Sequence, residues 1–174
     1  MNFVEAIKSV FSKYATFKGR ARRSEYWYFV LFCVLLSIGV TIVELTMGSV
    51  GAIVSMVCQL AIIIPSLAVQ VRRLHDVGKS GWHVLINTIL AVISVTLMFM
   101  GVGLENIDNP ENADPALMNM PMLASGLGLF LVGFIYSIYI LVQMFINSQP
   151  EENQYGPNPK ADEDELVTDE ETEL

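Results

Sequence analysis

Four stretches of this sequence, about 27–47, 50–71, 82–104 and 123–147, run for some twenty residues or more with almost no charge. At 1.5 Å of rise per residue each reaches about 30 Å, the thickness of a bilayer's hydrocarbon core. Lipid offers backbone N–H and C=O groups no partner, so each stretch must close its own hydrogen bonds as a helix. A helix buried in a soluble core is typically much shorter, about 10–14 residues. Composition agrees: charged residues are 16% of the chain, against about 25% in soluble domains. These features exclude a soluble enzyme core and a wholly disordered chain. The expected fold is all-α, a four-helix transmembrane bundle with an N-terminal amphipathic interfacial helix and a disordered acidic C-terminal tail. Residues 1–147 read as one membrane domain, with 1–26 a cytoplasmic amphipathic and basic segment, and 148–174 as a cytoplasmic acidic tail.

Orientation follows from the bases. Lys8, Lys13, Lys18, Arg20, Arg22 and Arg23 precede the first stretch, Arg72, Arg73 and Lys79 separate the second from the third, and Lys160 follows the fourth. The connections at 46–49 and 105–122 carry no Lys or Arg. The positive-inside rule then puts both termini and a 72–81 loop in the cytoplasm, and leaves 105–122, with its acids and prolines, as an irregular external connection. Moving Arg20, Arg22 or Arg23 across the bilayer would cost roughly 2.5–3.5 kcal/mol each. The first 18 residues lack an apolar run of signal-peptide length, so no cleavable leader is expected. They do have helical period: Phe3, Val4, Ile7, Val10, Phe11, Tyr14 and Phe17 fall within an arc of about 140° at 100° per residue. Such a helix lies in the headgroup plane with its lysines near anionic lipid, or packs against the inner ends of the spans. Cys33 and Cys58 sit at different depths of their spans and read as unpaired apolar fillers rather than a disulfide.

Polar residues are scarce, so two motifs stand out. The first runs from Tyr14 through Phe17, Gly19, Arg20, Arg22, Arg23, Glu25 and Tyr26 to Trp27. The second runs from Arg72 through Arg73, Leu74, His75, Asp76, Gly78, Lys79, Ser80 and Gly81 to Trp82. Each sets a basic cluster and one acid just before an aromatic residue that opens a span. Arg favours phosphate and carboxylate through bidentate bonds, and Trp and Tyr favour the interface. One reading is plain anchoring, with Glu25 and Asp76 paired to nearby arginines. The other is a shared cytoplasmic site where both clusters meet an anionic lipid headgroup or ligand.

These segments resemble the hallmark motifs of domain-of-unknown-function family 805, the YhaH/YhaI type of bacterial inner-membrane proteins. Phe17, Gly19, Arg20, Arg23, Glu25, Tyr26 and Trp27 match the first motif of that family. Arg72, Arg73, Leu74, His75, Asp76, Gly78, Ser80, Gly81 and Trp82 match the second, with His83 where a second Trp is usual. A closing motif appears at Asn153, Tyr155, Gly156, Pro157 and Pro159, without the glycines that often precede it. The resemblance spans about 14–159. It implies residence in a bacterial inner membrane and implies no activity.

Three patterns imitate chemistry. Gly78-Lys79-Ser80 lacks the glycine that a phosphate-binding loop needs five residues earlier, where Arg73 stands, and has no preceding strand. His75-Asp76 could form an oriented base, but Ser80 is the sole nearby nucleophile and nothing supplies an oxyanion hole. His75 and His83 lack a recurring ligand spacing for metal. Within the spans, Glu44 lies near an outer end, Gln59 mid-span and Asn87 just inside the third span. Amides there generally bond between helices. Pro65 should kink the second span and free a carbonyl that a neighbour or water must satisfy. Gly126, Gly128 and Gly133 would let the fourth span pack closely. The acids of the tail from 161 onward are solvated, or fold back on the basic clusters.

The function expected is that of a non-enzymatic binding or scaffolding protein of the inner membrane. Its cytoplasmic face, built from Arg20, Arg22, Arg23, Arg72, Arg73 and His75, contacts anionic lipid headgroups, a protein partner or a second copy of the chain. Glu25, Trp27, Asp76, Gly78, Gly81 and Trp82 are its structural partners. No catalytic residue, metal, cofactor or nucleic-acid partner is expected. The competing reading is a small transporter or channel with a polar path near Gln59, Asn87 and Pro65. A membrane-bound enzyme would rest on His75, Asp76 and Ser80 alone.

Overall fold

Helix α1, Phe3–Ser12, opens the chain in the computed structural model, which describes residues 1–102 and 118–160. Asn2 starts it with a reciprocal capping box: its Oδ1 accepts from the Glu5 N–H at 2.9 Å, and its own N–H donates to Glu5 Oε2 at 2.9 Å. Helices α2 (Arg23–Met47), α3 (Ser49–Asp76), α4 (Trp82–Val102) and α5 (Met120–Phe145) are the four long and apolar enough to cross a membrane. The described residues contain no strand, only an isolated bridge between Asn153 and Gly156. The tail from 161 onward and residues 105–117 of the expected external connection lie outside the described residues.

At the basic ends the helices outrun the apolar stretches. Helix α2 begins at Arg23, ahead of Trp27, and α3 continues past Val71 to Asp76. The first half of the expected loop at 72–81 is therefore helix, and only 77–81 connect α3 to α4. Hydropathy marks where lipid ends, whereas a helix continues until its hydrogen bonds are diverted. Here Gly78, at φ 73°, diverts them. Its N–H bonds to His75 O at 3.0 Å and the Lys79 N–H bonds to Leu74 O at 2.8 Å, the paired bonds of a Schellman cap.

The chain divides into two compact units, one holding Met1–Gly81 with the residues from Gln143 onward, the other Trp82–Val142. In the first, α2 and α3 form a hairpin linked by Gly48 alone. A side chain at Gly51 would come within 2.5 Å of the Glu44 Cα, so the two backbones touch near the tip. Helix α1 packs on α2: the Phe3 and Tyr28 rings meet edge-on at 6.0 Å, and Phe11 meets Phe29 at 6.0 Å and Phe32 at 5.9 Å. Ala6 and Val10 are fully buried beneath it.

Pro65 lies within a continuous α3. Lacking an N–H, it leaves the Ala61 carbonyl without its helical donor. Tyr14 Oη supplies the missing bond, donating to Ala61 O at 2.5 Å. The expected orphan carbonyl thus exists, and the residue that satisfies it comes from the segment after α1. Ala61 lies about 22 Å along α3 from Asp76, so this segment reaches far down the hairpin.

In the second unit, α4 and α5 are joined by Asn87 Nδ2 donating to Ser137 Oγ at 2.9 Å, the kind of interhelical amide bond expected of Asn87. His83 Nδ1 meets Tyr136 Oη at 2.5 Å. Of the three glycines of the fourth span, Gly126 lies against Met98, where an added Cβ would come within 2.8 Å of a side-chain carbon. Gly128 faces open space and Gly133 makes an ordinary contact. Cys33 and Cys58 are free, as expected.

Candidate functional site at the basic end

The two basic motifs meet. The Ala21 N–H donates to Arg72 O at 3.0 Å, laying the segment before α2 against the end of α3. That backbone contact sets the side chains. Arg20 Nε donates to Asp76 Oδ1 at 3.0 Å, and Arg73 Nη1 pairs with Asp76 Oδ2. Glu25 Oε1 accepts from Arg72 Nη1 at 2.9 Å and from Ser9 Oγ of α1 at 3.2 Å. His75 Nδ1 sits 3.2 Å from Gly19 O, which fixes Nδ1 as the donor. Glu25 and Asp76 do pair with arginines, and Glu25 takes Arg72 of the other motif.

All five charged groups are withdrawn from solvent, with Arg72 1% exposed and Arg73 and Asp76 0%. Burying a charge is unfavourable unless it is paired and its remaining hydrogen bonds are made. A third segment makes many of them. Arg20 Nη1 donates to Glu151 O at 2.8 Å and Gly156 O at 3.2 Å, and its Nη2 donates to Gln149 O. Arg73 Nη2 donates to Met144 O at 3.3 Å and to Ile146 O. Ser148 Oγ donates to Asp76 Oδ2, and the Gln149 N–H donates to Asp76 O at 3.1 Å. Asn153 Nδ2 reaches His75 O at 3.0 Å, and the Tyr155 ring stacks on His75 at 3.8 Å with 2° between planes. Residues 148–160 are therefore a strap fastened over the cluster, not the beginning of a free tail. The closing motif around Asn153 and Tyr155 had no assigned role in the sequence. Its turn chemistry, Tyr-Gly-Pro beside an Asn, was the one signal of ordered backbone there.

The structure thus gathers Arg20, Arg72, Arg73, His75, Glu25 and Asp76 into one cluster. Arg22 and Arg23 stand apart, at the first turn of α2. Arg22 is its N-cap without a side-chain cap bond, and Arg23 Nη1 donates to Phe145 O at 3.3 Å. Trp27 packs on Phe145 at 4.6 Å. Arg23, Ser24, Trp27 and Phe145 line a groove of about 340 Å³. Gly81 closes the turn after α3, where a Cβ would come within 2.5 Å of Val71. Trp82 begins α4 in the second unit and is 68% exposed.

The buried cluster holds three arginines and two acids, one positive charge in surplus. Among the described residues, Arg72 Nε and Nη2 and Arg73 Nε are buried with no hydrogen-bond partner. Asp76 gives its oxygens to Arg20, Arg73 and Ser148, so it does not orient His75 as a base. The His75 ring is instead covered by Tyr155. Among the described residues, no group of three His, Cys, Asp or Glu could hold a metal ion. Of the polar path weighed for transport, Asn87 is bonded to Ser137, while Gln59 lines a cavity between α2 and α3.

A family model described as a protein of unknown function, DUF805, matches residues 14–157. The inner membrane protein YhaI of Escherichia coli K12 is 41% identical over 78 residues, 44% of this chain and 66% of YhaI, just under two thirds of that relative's length. The inner membrane protein YhaH of the same organism is 27% identical over 157 residues, 88% of this chain and 94% of YhaH. No solved structure matches the chain at a significant level.

Proposed function

The chain belongs to the DUF805 family of proteins of unknown function, and we propose that it is a non-enzymatic binding protein of the inner membrane whose basic end takes an anionic lipid headgroup from the cytoplasmic leaflet. The observation that carries this reading is the groove of about 340 Å³ at the first turn of α2. Arg23 and Ser24 offer a cation and a hydroxyl to a phosphate, while Trp27 and Phe145 offer an apolar wall to the glycerol and upper acyl chain. Among the described residues the N-cap of α2 makes no side-chain cap bond, so the N–H groups of its first turn add to the attraction for an anion. Arg20, Arg72 and Arg73 act one step back, as a rigid core whose surplus charge raises the local potential. In this arrangement α1 lies at the interface with Lys8 and Lys13 among headgroups, and both termini are cytoplasmic.

The test is native mass spectrometry of the full chain released from mixed phosphatidylglycerol and phosphatidylcholine. Retention of phosphatidylglycerol over phosphatidylcholine is expected, falling about fivefold in Arg23→Gln, since one cation near an anionic surface contributes about 1 kcal/mol. Equal retention of the two lipids by the unaltered chain, or an Arg23→Gln variant that discriminates as strongly as the parent, would refute the reading.

A further inference from the structure

Polar side chains fall on facing stripes along the α2–α3 hairpin, a region the headgroup reading does not use. On α2, Ser37, Thr41 and Glu44 follow one another at steps of four and three, the repeat of one helix face. On α3, Ser55 and Gln59 do the same. With apolar walls between them they line a cavity of about 430 Å³, within the size range of small-molecule sites, roughly 300–1,000 Å³.

The hydrogen bonds already made decide what such a cavity can accept. Ser37 Oγ donates to Val34 O at 2.8 Å, Thr41 Oγ1 donates to Ser37 O at 2.8 Å, and Ser55 Oγ donates to Glu44 Oε2 at 2.8 Å. Each hydroxyl has therefore given its proton away, leaving oxygen lone pairs. Glu44 Oε1 and the Gln59 amide have no partner among the described residues, and no Lys, Arg or His lines the cavity. An uncompensated acid thus sits beside hydroxyl oxygens at one end of a largely apolar space. An acyl chain would fill the volume but leave that acid unanswered. An anion would be repelled. We propose that the cavity binds a lipophilic organic cation, an ammonium or phosphonium centre carrying apolar substituents, with Glu44 as counter-ion and Gln59 as a neutral contact.

Tetraphenylphosphonium is the probe, with tetraphenylborate as an anion of the same shape. Both are titrated against the full chain in nanodiscs of zwitterionic lipid, with uptake by empty discs subtracted. Saturable binding of the phosphonium at no more than one per chain is expected, with none of the borate. Glu44→Gln keeps an oxygen for the Ser55 bond, so the hairpin retains its contacts. It should nonetheless weaken phosphonium binding about tenfold or more, the size of one charge-assisted contact. Gln59→Leu should weaken it less. Absence of saturable uptake, comparable binding of the borate, or undiminished binding in a Glu44→Gln variant that melts like the parent would overturn the proposal. None of these results depends on whether the basic end binds phosphatidylglycerol.

Discussion

Arg20 Nε donates to Asp76 Oδ1 at 3.0 Å across 56 positions of the chain, and on this ion pair three separate segments close. The same arginine holds carbonyls of the strap, while the other Asp76 oxygen receives Arg73. Removing the acid leaves two buried guanidinium groups without their counter-charge. Asp76→Asn keeps the size of the side chain and should cost about 3–5 kcal/mol, the usual loss on breaking a buried pair from one side. Arg20→Lys should also destabilise, because an ammonium cannot reproduce a planar fork that reaches one carboxylate and three carbonyls at once. Thermal unfolding of the purified chain in detergent checks both, and an Asp76→Asn variant that melted with the parent would show that the pair does not hold the segments together.

Tyr14 and Pro65 should be energetically coupled although their side chains need not touch. Tyr14→Phe deletes only the hydroxyl that serves Ala61 O, and about 1–3 kcal/mol should be lost on leaving that carbonyl unsatisfied. In a Pro65→Ala background, position 65 regains an N–H and Ala61 O regains its helical donor. The same Tyr14→Phe change should then be nearly silent, giving a coupling of about 1 kcal/mol or more in a double-mutant cycle. An equal loss in both backgrounds would mean the hydroxyl acts elsewhere.

How much of this was legible in the sequence depended on the range of the signal. The four spans are local: a lipid-spanning helix must be apolar for its whole length, so each declares itself. The two motifs were visible because charge is scarce around them. The end of α3 was misplaced because hydropathy reports lipid, while Arg72, Arg73, Leu74 and His75 are held in helix by backbone bonds that hydropathy does not see. Pro65 announced an unsatisfied carbonyl but could not name Tyr14, 47 positions away. The strap was missed for a similar reason. Residues 148–160 are polar and aperiodic, and their order comes from Arg20, Asp76 and His75, which no local pattern connects to them. Glu44 and Gln59 were each noted singly. That they share one cavity follows from the one-residue link at Gly48, which fixes how the two stripes face each other.

Tyr155 should govern how firmly the strap is held. Its ring lies flat on His75, a contact of about 0.5–1.5 kcal/mol beyond the area it covers. The backbone bonds from Arg20 would remain in Tyr155→Ala, so the strap should open more often without the two units losing their helices. Limited proteolysis within residues 146–160 should accelerate about three- to tenfold, as local opening controls cleavage, while far-ultraviolet circular dichroism stays unchanged. Cleavage at the parental rate would place the hold in the Arg20 and Ser148 contacts alone.

The positive-inside rule predicts one orientation for the chain, because its ten bases lie before the first span, between the second and third, and after the fourth. The short link at Gly48 carries none, so the α2–α3 tip should be periplasmic and the basic end cytoplasmic. An alkaline phosphatase domain, which matures only outside the cytoplasm, should be active when fused behind Met47 and inactive when fused behind Leu174. A fluorescent protein that folds only in the cytoplasm should give the opposite pattern. Replacing Arg20, Arg22 and Arg23 together by Gln should erode this contrast, because it removes the charges nearest the first span, each worth roughly 2.5–3.5 kcal/mol against translocation. Phosphatase activity behind Leu174 in the unaltered chain would turn the molecule over and place the arginine cluster against the wrong leaflet for the proposed headgroup.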